Sequence, residues 1–281
     1  MLRQLAMTIM AKQTGPKLAP WRSSLIERLE FVLPFAAVAV AWQLLAMSGS
    51  FPSVLVPTVP RILQTGWDLV RSGVLSGHLS ASAARLLIGF AIGSTVGVMV
   101  GLAMGLSIRA ERFFLPLLNL ALPIPSIALL PLTVLWFGLG NLSVVILVAF
   151  VASVQVTLNT WTGVKTTNGL LLRVGQSMGA SRSMIITRIV LPSALPFVLT
   201  GLRLGLARGW IGTVAGEMVS ASNSGLGWMI FNALQFLQTS TMLVGVATIG
   251  LVGYAIEKII FQSIESWTVV RWGMLDDQRL R

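Results

Sequence analysis

The sequence predicts an all-α membrane protein that crosses the bilayer six times. Apolar residues make up 55% of the 281 positions, charged residues only 10%, and the mean hydropathy is +0.84. Long uncharged segments alternate with short basic ones, and about 20 apolar residues suffice for a helix to cross a bilayer. The net charge of +11 could indicate nucleic-acid binding. The Lys and Arg residues lie almost wholly between the apolar segments, so we expect no nucleic-acid binding.

The first apolar segment follows a basic tail. Residues 1–30 carry five cations and lack the core and cleavage site of a secretory signal, which predicts a cytoplasmic N-terminal tail. No charge occurs between Glu30 and Arg61, and Phe31–Ser48 is the predicted first span. Pro34 falls in its first turn, where a missing N–H is tolerated.

Residues 51–80 interleave apolar and charged positions, which predicts a short amphipathic helix on the outer face. We place His78 in this helix as a surface or interface residue rather than a ligand. The second span lies between Arg85 and Arg109, which enclose 23 uncharged residues with a glycine at every fourth position from Gly89 to Gly105. Such a stripe forms a groove for close helix packing, although glycine is also generally common in membrane helices.

No charge occurs between Arg112 and Lys165, a length that suits two spans joined by an outer turn at residues 137–141. The third span contains Pro123, Pro125 and Pro131, which free backbone carbonyls from the helix. Such backbone is tolerated only inside protein or beside water, so we expect these prolines near a pathway.

The fourth span is predicted from Leu142 to Thr160. It places Gln155 and Asn159 four residues apart on one face, where they either join helices or contact solute.

A basic, glycine-containing segment at about residues 162–195 follows the fourth span. Gly179 suits a turn with positive φ that ends one short helix, and Ser181 suits the N-cap of the next. Arg182 and Arg188 keep this second helix out of the hydrocarbon, and we expect Pro192 and Pro196 to stop it near Leu191.

The sequence RVGQSMGASRSMIITRIVLP, from Arg173 to Pro192, resembles the EAA loop of permease subunits of binding-protein-dependent ABC importers. The continuation GLRLGLARGWIGTVAGEM is similar to the sulfonate, taurine and nitrate branch, and the resemblance covers about residues 33–272, including the proline-rich span that ends in FGLG. It implies a type I ABC importer permease fold whose loop docks on a separate ATPase subunit. The residues implied in this coupling are Arg173, Gly175, Gly179, Ala180, Ser181, Arg182, Leu191 and Pro192. Here Arg173-Val174-Gly175 replaces the family's Glu-Ala-Ala.

The fifth span, Phe197 to Val219, contains Arg203, Arg208 and Glu217 together with a second glycine stripe. Charges in a span usually face the bundle interior or a cavity. Each arginine is either paired or snorkelling, or contacts an anion in the pathway. Arg203 and Glu217 are too far apart along the helix to pair with each other.

Residues 220–240 are polar and uncharged, which predicts an outer loop leading into a short surface helix. The sixth span is predicted from Met242 to Ile256. With the N-terminus inside, the inner segments hold fifteen Lys and Arg residues (five, two, four and four), the outer ones two and the spans three. This obeys the positive-inside rule and predicts cytoplasmic termini. The resulting division is a tail at 1–30, a six-helix permease domain at 31–262 and a tail at 263–281.

Catalytic motifs are absent from the sequence. Gly163-Val164-Lys165-Thr166 lacks the glycines of a phosphate-binding loop, and no His-Glu-x-x-His, Cys cluster or Gly-x-Ser-x-Gly occurs. We therefore expect no cofactor or metal on this chain and no enzymatic activity, although an intramembrane enzyme is a minor alternative.

The resemblance implies a homodimer in the lipid bilayer of the bacterial inner membrane. It also implies ATPase subunits that hold ATP and Mg, an extracytoplasmic solute-binding protein and a small anionic solute. The alternative is an autonomous secondary transporter or channel, which would require ionisable residues at midplane for a coupling ion.

Overall fold

A computed structural model of the chain describes residues 20–220 and 223–261, which form helices joined by short loops, with no β-strand among them. The chain divides into two compact units, residues 1–61 and 62–281. In the first unit, helix α1 (Pro20–Met47) is followed by a return loop. Trp42 Nε1 donates to the carbonyl of Pro57 at 2.9 Å, and the backbone N–H of Val59 donates to Gln43 Oε1 at 2.8 Å. Val59, the donor of the second bond, is the first residue of helix α2.

The helices that follow α1 run in chain order. They are α2 (Val59–Arg71), α3 (Val74–Leu106), α4 (Ile108–Ala121), a 3₁₀ turn (Ser126–Leu129), α5 (Leu130–Phe137), α6 (Asn141–Lys165), α7 (Gly169–Ser177), α8 (Arg182–Ile185), a π-helical segment (Ile186–Val190), α9 (Leu191–Ser220), α10 (Leu226–Gln235), α11 (Thr239–Ala255) and a second π-helical segment (Ile256–Phe261).

Four helical segments are long and apolar enough to cross a membrane: 74–106, 141–165, 182–220 and 239–258. A fifth span results if the pair 108–121 and 126–137, bent by 98°, counts as one. In α1, the apolar part Val32–Met47 is shorter. The structure therefore supports four to five of the six predicted spans.

Helix α6 is the centre of the second unit and packs against both α3 and α9. Glycines make this approach possible, as the stripe on α3 predicts. A Cβ atom at Gly93 would lie 2.3 Å from the carbonyl oxygen of Ala149, and one at Gly201 would lie 2.8 Å from Asn159 Cβ. At these glycines the backbones of α3 and α9 therefore contact the backbone or the Cβ atoms of α6. Larger residues would hold the helices apart.

Two predicted surface features differ in the structure. The amphipathic helix predicted within residues 51–80 ends at Arg71, and Gly73, with φ of 76°, starts the long helix α3, so His78 belongs to α3. The helix predicted to lie on the surface after residue 220 is α10, and its Leu226, Met229 and Ala233 are buried. That prediction was wrong because the uncharged sequence of α10 suits the interior as well as an interface.

The prediction that Pro192 and Pro196 stop the helix was also wrong. A continuous helical segment runs from Arg182 to Ser220. The π-helical segment precedes Pro192, and there the backbone N–H of Leu191 donates to the carbonyl of Ile186. The π segment changes the hydrogen-bond register just before Pro192, whose N–H is missing, whereas Pro196 lies inside α9, which continues past it.

Candidate coupling hairpin and membrane cavity

Helices α7 and α8 and the π segment form a helical hairpin, residues 169–190, which we call the basic hairpin. The Asn168 side chain caps α7 by accepting from the backbone N–H of Leu170 at 2.8 Å. Gly179 then turns the chain with φ of 76°, and Ser181 Oγ accepts from the backbone N–H of Met184 at 3.2 Å. The predicted glycine turn and serine cap are both present.

The outer surface of the basic hairpin is exposed and carries both charged and apolar side chains, whereas its inner side is apolar. Arg173, Gly179, Ser181 and Arg182 are exposed, and Met178 at the turn is 81% exposed. Such an exposed turn offers contact area to another molecule.

The inner side joins the two arms of the hairpin. Gly175 is buried, and a Cβ atom there would lie 3.0 Å from Ile189 Cδ1. Ala180 is half-buried, and its backbone N–H donates to the carbonyl of Gly175 at 3.0 Å. The hairpin is thus a packed unit with little freedom between its arms.

An apolar cluster attaches the hairpin to the helix bundle. Val164, Val190 and Ala194 are buried together, with Leu172 and Ile185 packed against them. Because the cluster includes residues of α6, the hairpin and α9, a displacement of the hairpin must also displace the adjoining ends of α6 and α9.

A second candidate region is a cavity of about 320 Å³ beside the break between α4 and the 3₁₀ turn, which we call the proline-break cavity. Pro123 and Pro125 form one wall, Gln155 of α6 another and Arg208 of α9 a third. No acidic residue contributes to its lining. Four of the eight pathway candidates from the sequence therefore meet at one cavity.

The other four candidates lie elsewhere. Pro131 is exposed in the first turn of α5. Asn159 donates through Nδ2 to the backbone carbonyl of Gln155, its own helix neighbour, at 2.9 Å. Arg203 forms an ion pair with Glu257. For Arg203 the structure thus shows the pairing that the sequence left as one of two alternatives.

Glu217, the last candidate, is completely buried and forms an ion pair with Arg85 at 2.6 Å between Oε1 and Nη1. Its Oε2 accepts from Ser82 Oγ at 2.8 Å and from the backbone N–H of Gly227 at 3.0 Å. Gly225 makes room for the carboxylate, because a Cβ there would lie 2.4 Å from Glu217 Cδ. Glu217 thus joins α3 and α9 to the start of α10.

Arg85 was missed by the sequence reasoning, which treated it only as the border of the second span. It is 4% exposed, and its Nε donates to Asn141 Oδ1 at 2.8 Å. Its Nη1 and Nη2 donate to the carbonyl and hydroxyl of Ser224 at 2.9 and 2.7 Å. The only sequence signal was that a predicted intramembrane Glu217 requires a cationic partner.

Within residues 20–220 and 223–261, no cluster of His, Cys, Asp and Glu could hold a metal ion.

Comparison with known proteins assigns this chain to a family. Residues 93–266, more than half of the chain, match the profile of the binding-protein-dependent transport system inner membrane component. An aliphatic sulfonates transport permease of Escherichia coli is 36% identical over 234 residues, which cover 83% of this chain and 88% of that protein. The taurine transport system permease of the same organism is 33% identical over 84% of this chain and 88% of its own length.

A solved structure has the same fold. One chain of the MetNI methionine ABC transporter in an inward-facing conformation superposes with a TM-score of 0.55 at 18% identity, over 68% of this chain and 95% of the other. The family match and the apolar helices make the chain a multi-pass inner-membrane protein. It belongs to the inner membrane components of binding-protein-dependent transport systems, as an ABC transporter permease of the sulfonate and taurine type.

Proposed function

We propose that this chain is the permease subunit of an ABC importer. Two copies form the translocation pathway for a small anionic solute such as a sulfonate, taurine or nitrate. The energy comes from hydrolysis of ATP, held with Mg on a separate ATPase subunit, and the solute is delivered by an extracytoplasmic binding protein. The observation that carries this proposal is the exposed basic hairpin, which is packed on one side and continuous with α9 on the other.

The hairpin suits a docking role because its outer surface offers contacts while its inner surface transmits force. Gly179 and Ser181 fix the turn, and Val164, Val190 and Ala194 anchor it to the bundle. In this proposal the hairpin contacts the ATPase through Arg173, Gly179, Ser181 and the other coupling residues named from the sequence. The chain itself lacks a phosphate-binding loop, so the motor is another polypeptide.

The proposed topology has six spans, with α1 as the first and the bent pair as the third. Both termini and the basic hairpin face the cytosol. The tails at 1–30 and 263–281 flank the permease domain at 31–262. The charge distribution supports this orientation because fifteen Lys and Arg residues fall on one side and two on the other.

An autonomous ion-coupled transporter is the competing function, and the charged contacts weigh against it. Coupling to a proton gradient usually relies on an available ionisable residue within the membrane. Within the described residues, Glu217 is neutralised by Arg85 and Glu257 by Arg203. The cation that lines the proline-break cavity, Arg208, has the wrong charge to hold Na⁺ or H⁺.

The two functions are separated by reconstitution in liposomes with labelled taurine as the probe. We expect no uptake by this chain alone under a Na⁺ or proton gradient. We expect ATP-dependent uptake when the ATPase subunits and binding protein are added. Gradient-driven uptake by the chain alone would refute the subunit function.

The orientation is tested on Ser181→Cys, which creates a single thiol because the chain has no cysteine. In this variant we expect an impermeant thiol reagent to label Cys from the cytosolic side only. Labelling from the outer side alone would refute the topology.

A further inference from the structure

We propose that Arg208, Gln155 and Ser126 form an oxyanion-binding site in the proline-break cavity, which takes a sulfonate or a similar singly charged oxyanion. This inference rests on the proposed transport function and names the place where the solute is held inside the membrane. It assigns Arg208 as the residue that determines the charge selectivity of the pathway.

The first support is the position of Arg208. It lies 12 residues before the end of α9, about 18 Å along the helix axis at 1.5 Å per residue. With about 30 Å of hydrocarbon, this is the interior of the membrane. A guanidinium at that depth is costly unless it faces water, a cavity or a counter-charge.

The second support is that Arg208 differs from the other two arginines in spans. Arg85 is paired with Glu217, and Arg203 is paired with Glu257. Among the described residues Arg208 forms no ion pair, and its side chain is exposed to the proline-break cavity. An anionic ligand can therefore supply the counter-charge that a guanidinium at this depth requires.

The third support is the set of hydrogen-bond donors around the cavity. The amide of Gln155 and the hydroxyl of Ser126 line it, and neither side chain forms a hydrogen bond within residues 20–220 and 223–261. With the planar guanidinium of Arg208, they offer several N–H and O–H groups to one anion. No carboxylate lines the cavity to repel it.

The fourth support is the shape and lining of the cavity. Its volume of about 320 Å³ lies at the lower end of small-ligand pockets, which span roughly 300–1,000 Å³. Phe150, Val151, Val154 and Ile211 provide apolar walls. A small organic molecule with one oxyanion group and a short carbon chain satisfies both parts of this lining.

The test uses a single thiol in the cavity, Ile211→Cys, because Ile211 is exposed and the chain contains no cysteine. The assembled transporter is treated with an anionic reagent, sulfonatoethyl methanethiosulfonate, and with the cationic trimethylammonioethyl analogue. We expect the ratio of anionic to cationic modification rates to fall about tenfold when Arg208→Gln is added, since one nearby charge alters both local concentrations. Arg71→Gln, which removes the same charge from α2, should leave the ratio unchanged.

Protection completes the labelling experiment. Taurine and methanesulfonate should slow modification of Ile211→Cys, and Gln155→Leu should weaken this protection while it keeps the charge. This second variant keeps the site testable if Arg208→Gln fails to assemble. A thiol that reacts with neither reagent, or a rate ratio that is the same with and without Arg208, would overturn the proposed site.

Transport gives the functional readout. Arg208→Gln should raise the KM for labelled taurine about tenfold or more. Arg208→Lys, which keeps the charge but not the planar fork, should have an intermediate effect. ATP hydrolysis stimulated by the binding protein should persist in both variants. Normal KM values with normal hydrolysis would refute the site alone, whereas wild-type protein that takes up taurine without the ATPase would refute the proposed function.

Discussion

Replacing Glu217 by Gln tests whether the buried ion pair stabilises the fold. The carboxylate accepts from Arg85 Nη1 at one oxygen and from Ser82 Oγ and the Gly227 N–H at the other. An amide of the same shape must place its NH₂ group against one of these donors, whichever way it is oriented. It also leaves the Arg85 guanidinium, 4% exposed, without a counter-charge.

The expected cost is about 3–5 kcal/mol of unfolding free energy, the usual effect of removing one partner from a buried pair. The measurement is an equilibrium unfolding titration with SDS in mixed micelles, followed by tryptophan fluorescence. The chain has nine tryptophans, and Trp228 stacks on His78, whose ring accepts from the Gly225 N–H. The fluorescence of Trp228 should therefore report on this region.

A matched control is the same substitution at the other end of the bundle. Glu111 pairs with Lys165 at 2.7 Å, but the Lys165 side chain is 43% exposed. Glu111→Gln should therefore cost less than about 1 kcal/mol. The double variant Arg85→Met with Glu217→Gln should recover much of the loss because no charge is left buried. Equal costs at Glu217 and Glu111 would refute the reasoning.

Two further predictions concern glycines. Gly93→Ala should destabilise the packing of α3 on α6 by about 1–3 kcal/mol, since its Cβ would lie 2.3 Å from the Ala149 carbonyl oxygen. Gly77→Ala in the same helix meets open space and should stabilise the protein slightly; equal unfolding midpoints for the two variants would contradict this. Gly179→Val should lower the taurine transported per ATP hydrolysed without reducing expression, because φ of 76° is strained for a β-branched residue. Gly169→Val, with open space and no positive φ, should keep normal coupling.

Local rules predicted much of the site. Spacing alone identified the glycine stripe from Gly89 to Gly105, and residue type alone identified the turn at Gly179 and the cap at Ser181. Each depends on backbone geometry that nearby residues determine. The family resemblance added the role proposed for the hairpin, which geometry alone does not specify.

Long-range contacts were not predictable in the same way. The Arg85–Glu217 pair joins residues 132 positions apart, and no local pattern specifies that Arg85 meets the carboxylate. Pro192 was misinterpreted because its effect depends on the π segment before it, which composition does not reveal. The surface assignment of α10 failed because its first turn is held by distant residues: the backbone N–H of Leu226 donates to Ser82 Oγ and that of Gly227 to Glu217 Oε2.

The uninterrupted segment from Arg182 to Ser220 has a mechanical consequence. At 1.5 Å per residue its 39 residues extend over at most about 58 Å, with the hairpin turn just before one end and Glu217 close to the other. Tilting a segment of that length by about 10° around its midpoint swings each end through up to about 5 Å in opposite directions. A displacement of the hairpin turn would therefore be transmitted to the far side of the membrane by one continuous helical segment, without contacts between separate helices.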